Sequence, residues 1–251
     1  MLKLQIKYLS FFFGLISLLS FFNIIYSYYL NLYLNLDTYY YSLVVSLIIS
    51  LIFYNLKIDH QKLSIFDKIL TVFLGYLILP LVLSIPFYLS IYNITFLNSF
   101  FEAISGFTST GFSIFENIKN IDQSLILWRS STQWIGGLYF LFSIIFLIDI
   151  YDENFKKTLT NFISFNSTEI LKQATKIFLL YSFITLIIFL LLNIFSVRYF
   201  DSLNLAFTLI SSGGFLPVNE LSNIIKEKSQ IVVLSLLMLS SFFSIFFSYN
   251  L

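Results

Sequence analysis

Six charge-free apolar windows, 9–36, 38–56, 69–101, 130–148, 177–197 and 229–251, run through a chain of 251 residues. A bilayer core about 30 Å thick is crossed by a helix of roughly 20 apolar residues, so windows of this length dictate membrane-crossing helices. A soluble globule is excluded, because 58% of the residues are hydrophobic and only 11% are charged. The first window follows Lys3 and Lys7, as the core of a signal peptide would. It is too long for one, and no small-residue cleavage site follows, so it reads as a retained first helix.

Aromatic residues make up 20% of the chain, yet alanine occurs three times while Phe, Ile, Leu, Tyr, Asn and Ser dominate throughout. That pattern reads as AT-rich codon usage and ordinary packing rather than a binding cage. With no cysteine there is no disulfide framework, thiol nucleophile or thiolate metal site. A net charge of +1 without a basic stripe gives no reason to expect nucleic acid. Placing the N-terminus inside puts Lys3, Lys7, Lys57, Lys62, Lys68, Lys156, Lys157, Lys172 and Lys176 on one face, against Lys119, Arg198, Lys226 and Lys228 on the other. Positive residues collect on the cytoplasmic side, so nine against four predicts a cytoplasmic N-terminus.

The window 69–101 holds 33 residues, too many for one span and too few for two. A span over 69–91, interrupted by Pro80 and Pro86 without ending, leaves a short helix over 98–107. Ten helical residues rise only about 15 Å, half the hydrocarbon core, so the segment cannot cross. It must turn back, and "TSTGFS" after it is suited to return as extended chain. Non-helical backbone at membrane depth survives only inside protein or along a water-filled cavity. Helix, turn and extended return make a pore loop, whose carbonyls can replace the hydration shell of a cation and whose Gly111 frees the backbone to aim them. For Thr108 to Phe112 alone, a surface loop between two helices would be an equal reading.

An internal repeat decides between the two. "EAISGFTSTGFS" from Glu102 aligns without gaps on "LAFTLISSGGFL" from Leu205, an offset of 103 residues, matching Thr108 with Ser211, Ser109 with Ser212, Gly111 with Gly214 and Phe112 with Phe215. Around each copy stand a long span, a short helix (98–107; 201–210), the polar return, a charged loop and a second span. The expected fold is therefore an all-α membrane protein, with a transmembrane hairpin over 1–60 and helix–pore-loop–helix repeats over 61–150 and 151–251.

At these residues the chain resembles the pore subunits of the Trk/Ktr/HKT potassium transporters, particularly the TrkH branch. "FFEAISGFTSTGFS" looks like the first pore loop of that family, "LWRSSTQWIGG" like the start of the following helix and "AFTLISSGGF" like the second pore loop. The resemblance implies four such repeats around one pore, of which this chain carries half. It implies potassium uptake through a filter built here from Thr108, Ser109, Thr110, Gly111 and Phe112 and from Ser211, Ser212, Gly213, Gly214 and Phe215. K+ would be the transported ion, with no covalently bound cofactor. Relatives with serine at the first glycine favour sodium, so Gly111 leans towards potassium. A homodimer in the bacterial inner membrane and a cytoplasmic TrkA-like nucleotide-binding regulator are also implied.

Two departures stand out. Where the family has a third glycine after "QWIGG", this chain has Tyr139, which is expected to crowd helix packing. The sequence also ends at Leu251, before a third or fourth repeat. A truncated or split chain, a fragment, and a half-transporter that pairs with a second half or another copy are the readings, the last completing a ring by symmetry, with a non-conducting assembly or regulatory subunit as a further alternative.

Glu102 and Arg129 are expected to form an ion pair bracing the pore loop, with an ion relay as the alternative. Asp201 in "DSLN" reads as a helix N-cap, His60 as a solvated loop residue, and Asp149 and Asp152 as marking the end of a span. An enzyme would need a nucleophile with a base or a carboxylate pair, and one histidine with scattered carboxylates supplies neither.

Overall fold

The computed structural model describes residues 6–56, 65–147 and 167–250. The described residues are helical with irregular connections and contain no strand. Helix α1 spans Ile6–Tyr29, α2 Leu36–Asn55, α3 Ile65–Leu83, α4 Ile85–Tyr88, α5 Phe96–Phe107, α6 Gln123–Leu147, α7 Ser167–Ile194, α8 Tyr199–Ile210 and α9 Lys228–Asn250. Four stretches among the described residues are long and apolar enough to cross a membrane: α1, α2, Phe66–Tyr88 through α3 and α4, and α7. The expected boundaries at 60/61 and 150/151, and His60, Asp149 and Asp152, lie outside the described residues.

Helices α1 and α2 form an antiparallel hairpin whose seam is built from small residues. Ser10 and Ser50 exchange hydroxyl-to-carbonyl bonds of 2.9 Å, Ser20 meets Ser42 at 3.1 Å, and Gly14 faces the Ser50 hydroxyl. In lipid no hydrophobic force separates helix from tail, so close backbone approach and hydrogen bonds of this kind hold such pairs together.

Pro80 lies inside α3 without ending it. The chain breaks instead at Ser84, restarts with Pro86 in the first turn of α4, and turns at Asn93, which has φ 51°. The expected span over 69–91 is found as the stretch Phe66–Tyr88, with a local interruption at Ser84 and not at Pro80. Proline fits a first turn because its missing N–H would be unpaired there anyway.

Each repeat is a triangle of packed helices, α3, α5 and α6 in the first and α7, α8 and α9 in the second. Helix α6 is the hub, packing against α1, α3, α4, α5, α7 and α8. That position accounts for its polar run, since Ser130, Ser131, Thr132 and Gln133 cover every face of the helix and all are buried. A helix surrounded by protein can keep polar side chains at membrane depth where each finds a partner.

Tyr139 is fully buried, and its hydroxyl donates to the Val72 carbonyl at 2.9 Å. The crowding expected there is relieved by Gly75 on α3, where a Cβ would overlap the tyrosine hydroxyl. Phe12, Tyr76 and Phe107 close around the ring at centroid distances of 4.8, 4.9 and 5.2 Å. Gly75 on the facing helix thus makes the room that Tyr139 takes up.

Candidate functional site

Helix α5 begins at Thr95, whose extended backbone and side-chain oxygen cap it by accepting from the Asn98 N–H at 3.4 Å. It runs 12 residues, about 18 Å, and so stops partway through a hydrocarbon core. Helix α8 is also 12 residues long. Its N-cap position is Arg198 rather than the expected Asp201, which sits in the first turn as the buried partner of the Arg198 guanidinium at 2.6 Å. That contact raises the pKa of the exposed Arg198, first by the hydrogen bond and then by the carboxylate's charge.

Both short helices end in the same way. After α5, Ser109 N–H donates to Gly106 O at 2.9 Å and Thr110 N–H to Ser105 O at 3.0 Å. After α8, Ser212 N–H donates to Leu209 O at 3.0 Å and Gly213 N–H to Thr208 O at 2.8 Å. These are two Schellman motifs in register with the 103-residue repeat, each with a serine in the left-handed position, Ser109 at φ 55° and Ser212 at φ 53°. The expectation of extended chain over 108–112 and 211–215 is therefore corrected at the first two residues of each segment. Thr108 and Ser211 are helix C-caps, and the return begins at Thr110 and Gly213.

The returns are then tied back to their own short helices. Ser105 Oγ donates to Phe112 O at 2.5 Å, and Thr208 Oγ1 to Phe215 O at 2.8 Å, again one repeat apart. These two carbonyls therefore face the short helix behind them. Neither hydroxyl was singled out from the sequence, although Ser105 and Thr208 align in the repeat.

Gly111 and Gly214 meet backbone to backbone. A Cβ on Gly111, which has φ +82°, would lie 2.6 Å from Gly214 Cα, and a Cβ on Gly214 would lie 3.2 Å from Gly111 Cα. At the C-terminal ends of the two short helices a cavity of about 300 Å³ is lined by Thr108, Ser109, Ser211, Ser212, Gly136 and Gly137 among others. A second, of about 470 Å³, lies at the opposite end of α5, where Thr95 and Asn98 face Glu116 and Asn117. The loops that follow the two returns join at Asn117 and Asn219, Asn219 Nδ2 donating to Asn117 Oδ1 at 3.0 Å while Asn219 Oδ1 accepts the Ile118 N–H at 2.7 Å.

Behind the first return lies a buried charged cluster. Arg129 Nε donates to Glu102 Oε1 at 2.8 Å and Nη2 to Ser113 Oγ at 2.9 Å. Glu102 also accepts from Ile114 N–H at 2.9 Å and from the Ser113 hydroxyl. Among the described residues Arg129 and Glu102 have no other charged partner, and both are buried.

The fold and these paired loops define a membrane protein of helix–pore-loop–helix repeats preceded by a hairpin. Comparison with known proteins places it more narrowly, although no protein-family model matches the chain. An uncharacterized cation transporter of Methanocaldococcus jannaschii is 26% identical over 200 residues, 76% of this chain and 39% of that protein. The Trk system potassium uptake protein TrkH of Salmonella typhimurium is 24% identical over 129 residues, 49% of this chain and 27% of that protein. The crystal structure of the potassium transporter TrkH from Vibrio parahaemolyticus superposes with a TM-score of 0.73 at 18% identity, covering 94% of this chain and 49% of that one. The resemblance to a TrkH-like pore subunit thus holds in sequence and in fold. The chain spans less than half the length of the relatives it matches. Those relatives are named as transporters and uptake proteins, not as enzymes.

Proposed function

We propose that the chain supplies two adjoining segments of the selectivity filter of a potassium pore and that its role is transmembrane uptake of K+. The observation that carries this reading is the contact between Gly111 and Gly214, brought together by two short helices with identical C-terminal motifs. Both helices aim their carbonyl ends at that contact, and the negative end of a helix dipole favours a cation. Backbone oxygens of Thr108 to Gly111 and Ser211 to Gly214 are the ligands that would replace the ion's water, a substitution such filters require.

A second reading is that these two segments conduct only alongside further filter segments, from a second half or another copy. It is favoured by Phe112, which stands 70% exposed beside Gly111, whereas its counterpart Phe215 is buried. Polar backbone next to such an open face is costly in lipid unless protein or water covers it. On either reading the chain sits in the plasma membrane with its N-terminus cytoplasmic, as a homodimer working with a TrkA-like regulator.

Growth of a potassium-uptake-deficient cell at low potassium tests the proposal. The chain is expressed alone and together with a two-repeat C-terminal half from a TrkH-like relative. Rescue by the pair and not by the chain alone supports the second reading, and rescue by the chain alone supports the first without it. Growth in neither case, with the chain inserted in the membrane, refutes potassium uptake. Gly111→Ser in the rescuing combination is expected to lower the K+/Na+ flux ratio.

A further inference from the structure

The two returns are held differently. In the first repeat, Glu102 of its own short helix accepts the Ile114 N–H and the Ser113 hydroxyl. The aligned residue in the second repeat is Leu205, which can accept nothing. The second return is gripped instead from across the repeat boundary by α6. Gln133 Oε1 accepts from the Phe215 N–H at 3.3 Å and lies 3.0 Å from Thr208 Oγ1, whose single proton it shares with the Phe215 carbonyl. One turn earlier on the same helix, the Arg129 guanidinium lies 4.2 Å from the Phe215 ring centroid and reaches the Leu216 carbonyl at 3.5 Å.

The Phe215 N–H can only donate, so the amide oxygen of Gln133 must face it. Gln133 is fully buried, and its Nε2 has no partner among the described residues. The oxygen alone therefore fixes the orientation of the amide.

Gly213 independently marks the same contact. A Cβ there would lie 2.4 Å from Gln133 Cδ, and the residue does not occupy the left-handed region, so it is glycine for space and not for backbone freedom. The aligned residue in the first repeat is Thr110, and among the described residues no glutamine is hydrogen-bonded to that return.

We propose that Gln133, with Arg129 beside it, is a positioning residue of the first repeat that sets the geometry of the second repeat's filter segment and thereby its ion selectivity. The selectivity part rests on the proposed function; the grip itself does not. Two measurements on the same variants keep them apart, in the full chain and in whichever combination transports.

Gln133→Leu is expected to speed backbone hydrogen exchange over 211–218 relative to 108–114. It is also expected to lower the K+/Na+ flux ratio by about tenfold, the size that loss of one buried hydrogen bond gives. Gln133→Glu keeps an acceptor in place and is expected to restore both, while Gly213→Ala, which displaces the amide, reproduces the loss. Unchanged exchange over 211–218 in Gln133→Leu overturns the proposal. So does an unchanged ion ratio in a transporting parent. A parent that carries no selective K+ flux counts against the proposed function, and exchange then decides the grip alone.

Discussion

The Arg129 guanidinium and the Glu102 carboxylate meet at 2.8 Å with no more than 1% of either side chain exposed. Burying two charges costs several kcal/mol per ion, and their attraction repays this only when further hydrogen bonds satisfy what remains. Here Ser113, Ile114 N–H and the Leu216 carbonyl supply those bonds, so the pair joins the first short helix, the first return and the second return. An ion relay needs a group that can exchange protons or ions with the pathway, whereas the partners of this pair are the backbone and side chains of the two returns.

Glu102→Ala is therefore expected to destabilise the protein by about 3–5 kcal/mol, the cost of leaving a buried charge alone. Replacing both members, Glu102→Leu with Arg129→Met, is expected to recover part of that loss, since an apolar pair carries no unpaired charge. Recovery stays partial because Ile114 N–H and Ser113 lose their acceptor. Thermal unfolding in detergent checks the order; a double variant less stable than Glu102→Ala refutes it.

Gly75 and Tyr139 form a second pair whose members only make sense together. A Cβ at Gly75 would overlap the Tyr139 hydroxyl, which cannot retreat without giving up its bond to Val72 O. Gly75→Ala is expected to cost roughly 1–3 kcal/mol, as overpacking of a tight core does. Tyr139→Phe in the same chain should relieve part of it by removing the overlapping oxygen, the ring Cζ at 2.5 Å still having to shift. If Gly75→Ala is equally damaging in both backgrounds, the overlap is not the cause.

The left-handed serines at the ends of α5 and α8 lead to a prediction of opposite sign. A non-glycine residue in that region carries roughly 1–2 kcal/mol of strain, and glycine is the usual occupant of this position in a Schellman motif. Ser109→Gly and Ser212→Gly are each expected to raise stability by up to about 1 kcal/mol, part of the gain being lost to greater freedom of the unfolded chain. A lowered melting temperature in both would mean that the serine hydroxyls contribute more than the backbone strain costs.

Length arguments made the short helices legible in the sequence. Segments over 98–107 and 201–210 are too short to cross, and they are found as helices over 96–107 and 199–210. The offset of 103 residues likewise anticipated which residues would meet, because a repeat aligned without gaps carries its turn chemistry with it. Two things escaped. The turn at Ser109 and Ser212 did, because serine gives no local sign of a positive φ where glycine would. Gln133 did, because a lone glutamine in an apolar helix has no partner visible in sequence; its partners stand 75 and 82 residues away. The signal that was present is the run Ser130 to Gln133, four polar residues that no single lipid-facing helix could bury.

Gly111 and Gly214 are not equivalent, and this asymmetry gives the sharpest test of the site. Gly111 is held at φ +82°, where any L side chain is strained, and a Cβ added there would lie 2.6 Å from Gly214 Cα and 2.9 Å from its nitrogen. Backbone cannot swing aside as a side chain can, so Gly111→Ala must push the two segments apart. Gly214 is not in the left-handed region, and its added Cβ would come within 3.2 Å of Gly111 Cα, a contact relieved by a shift of a few tenths of an ångström. Gly111→Ala is thus expected to cost about 1–2 kcal/mol in backbone strain beyond whatever Gly214→Ala costs. In transport, both alanines should lower the K+/Na+ ratio, Gly111→Ala by a further fivefold to thirtyfold or so if the strain is expressed in the filter. Melting temperature and ion flux measured on the two variants side by side decide the matter. Equal losses would mean that the positive φ at Gly111 is not needed, and a larger loss at Gly214 would reverse which segment yields.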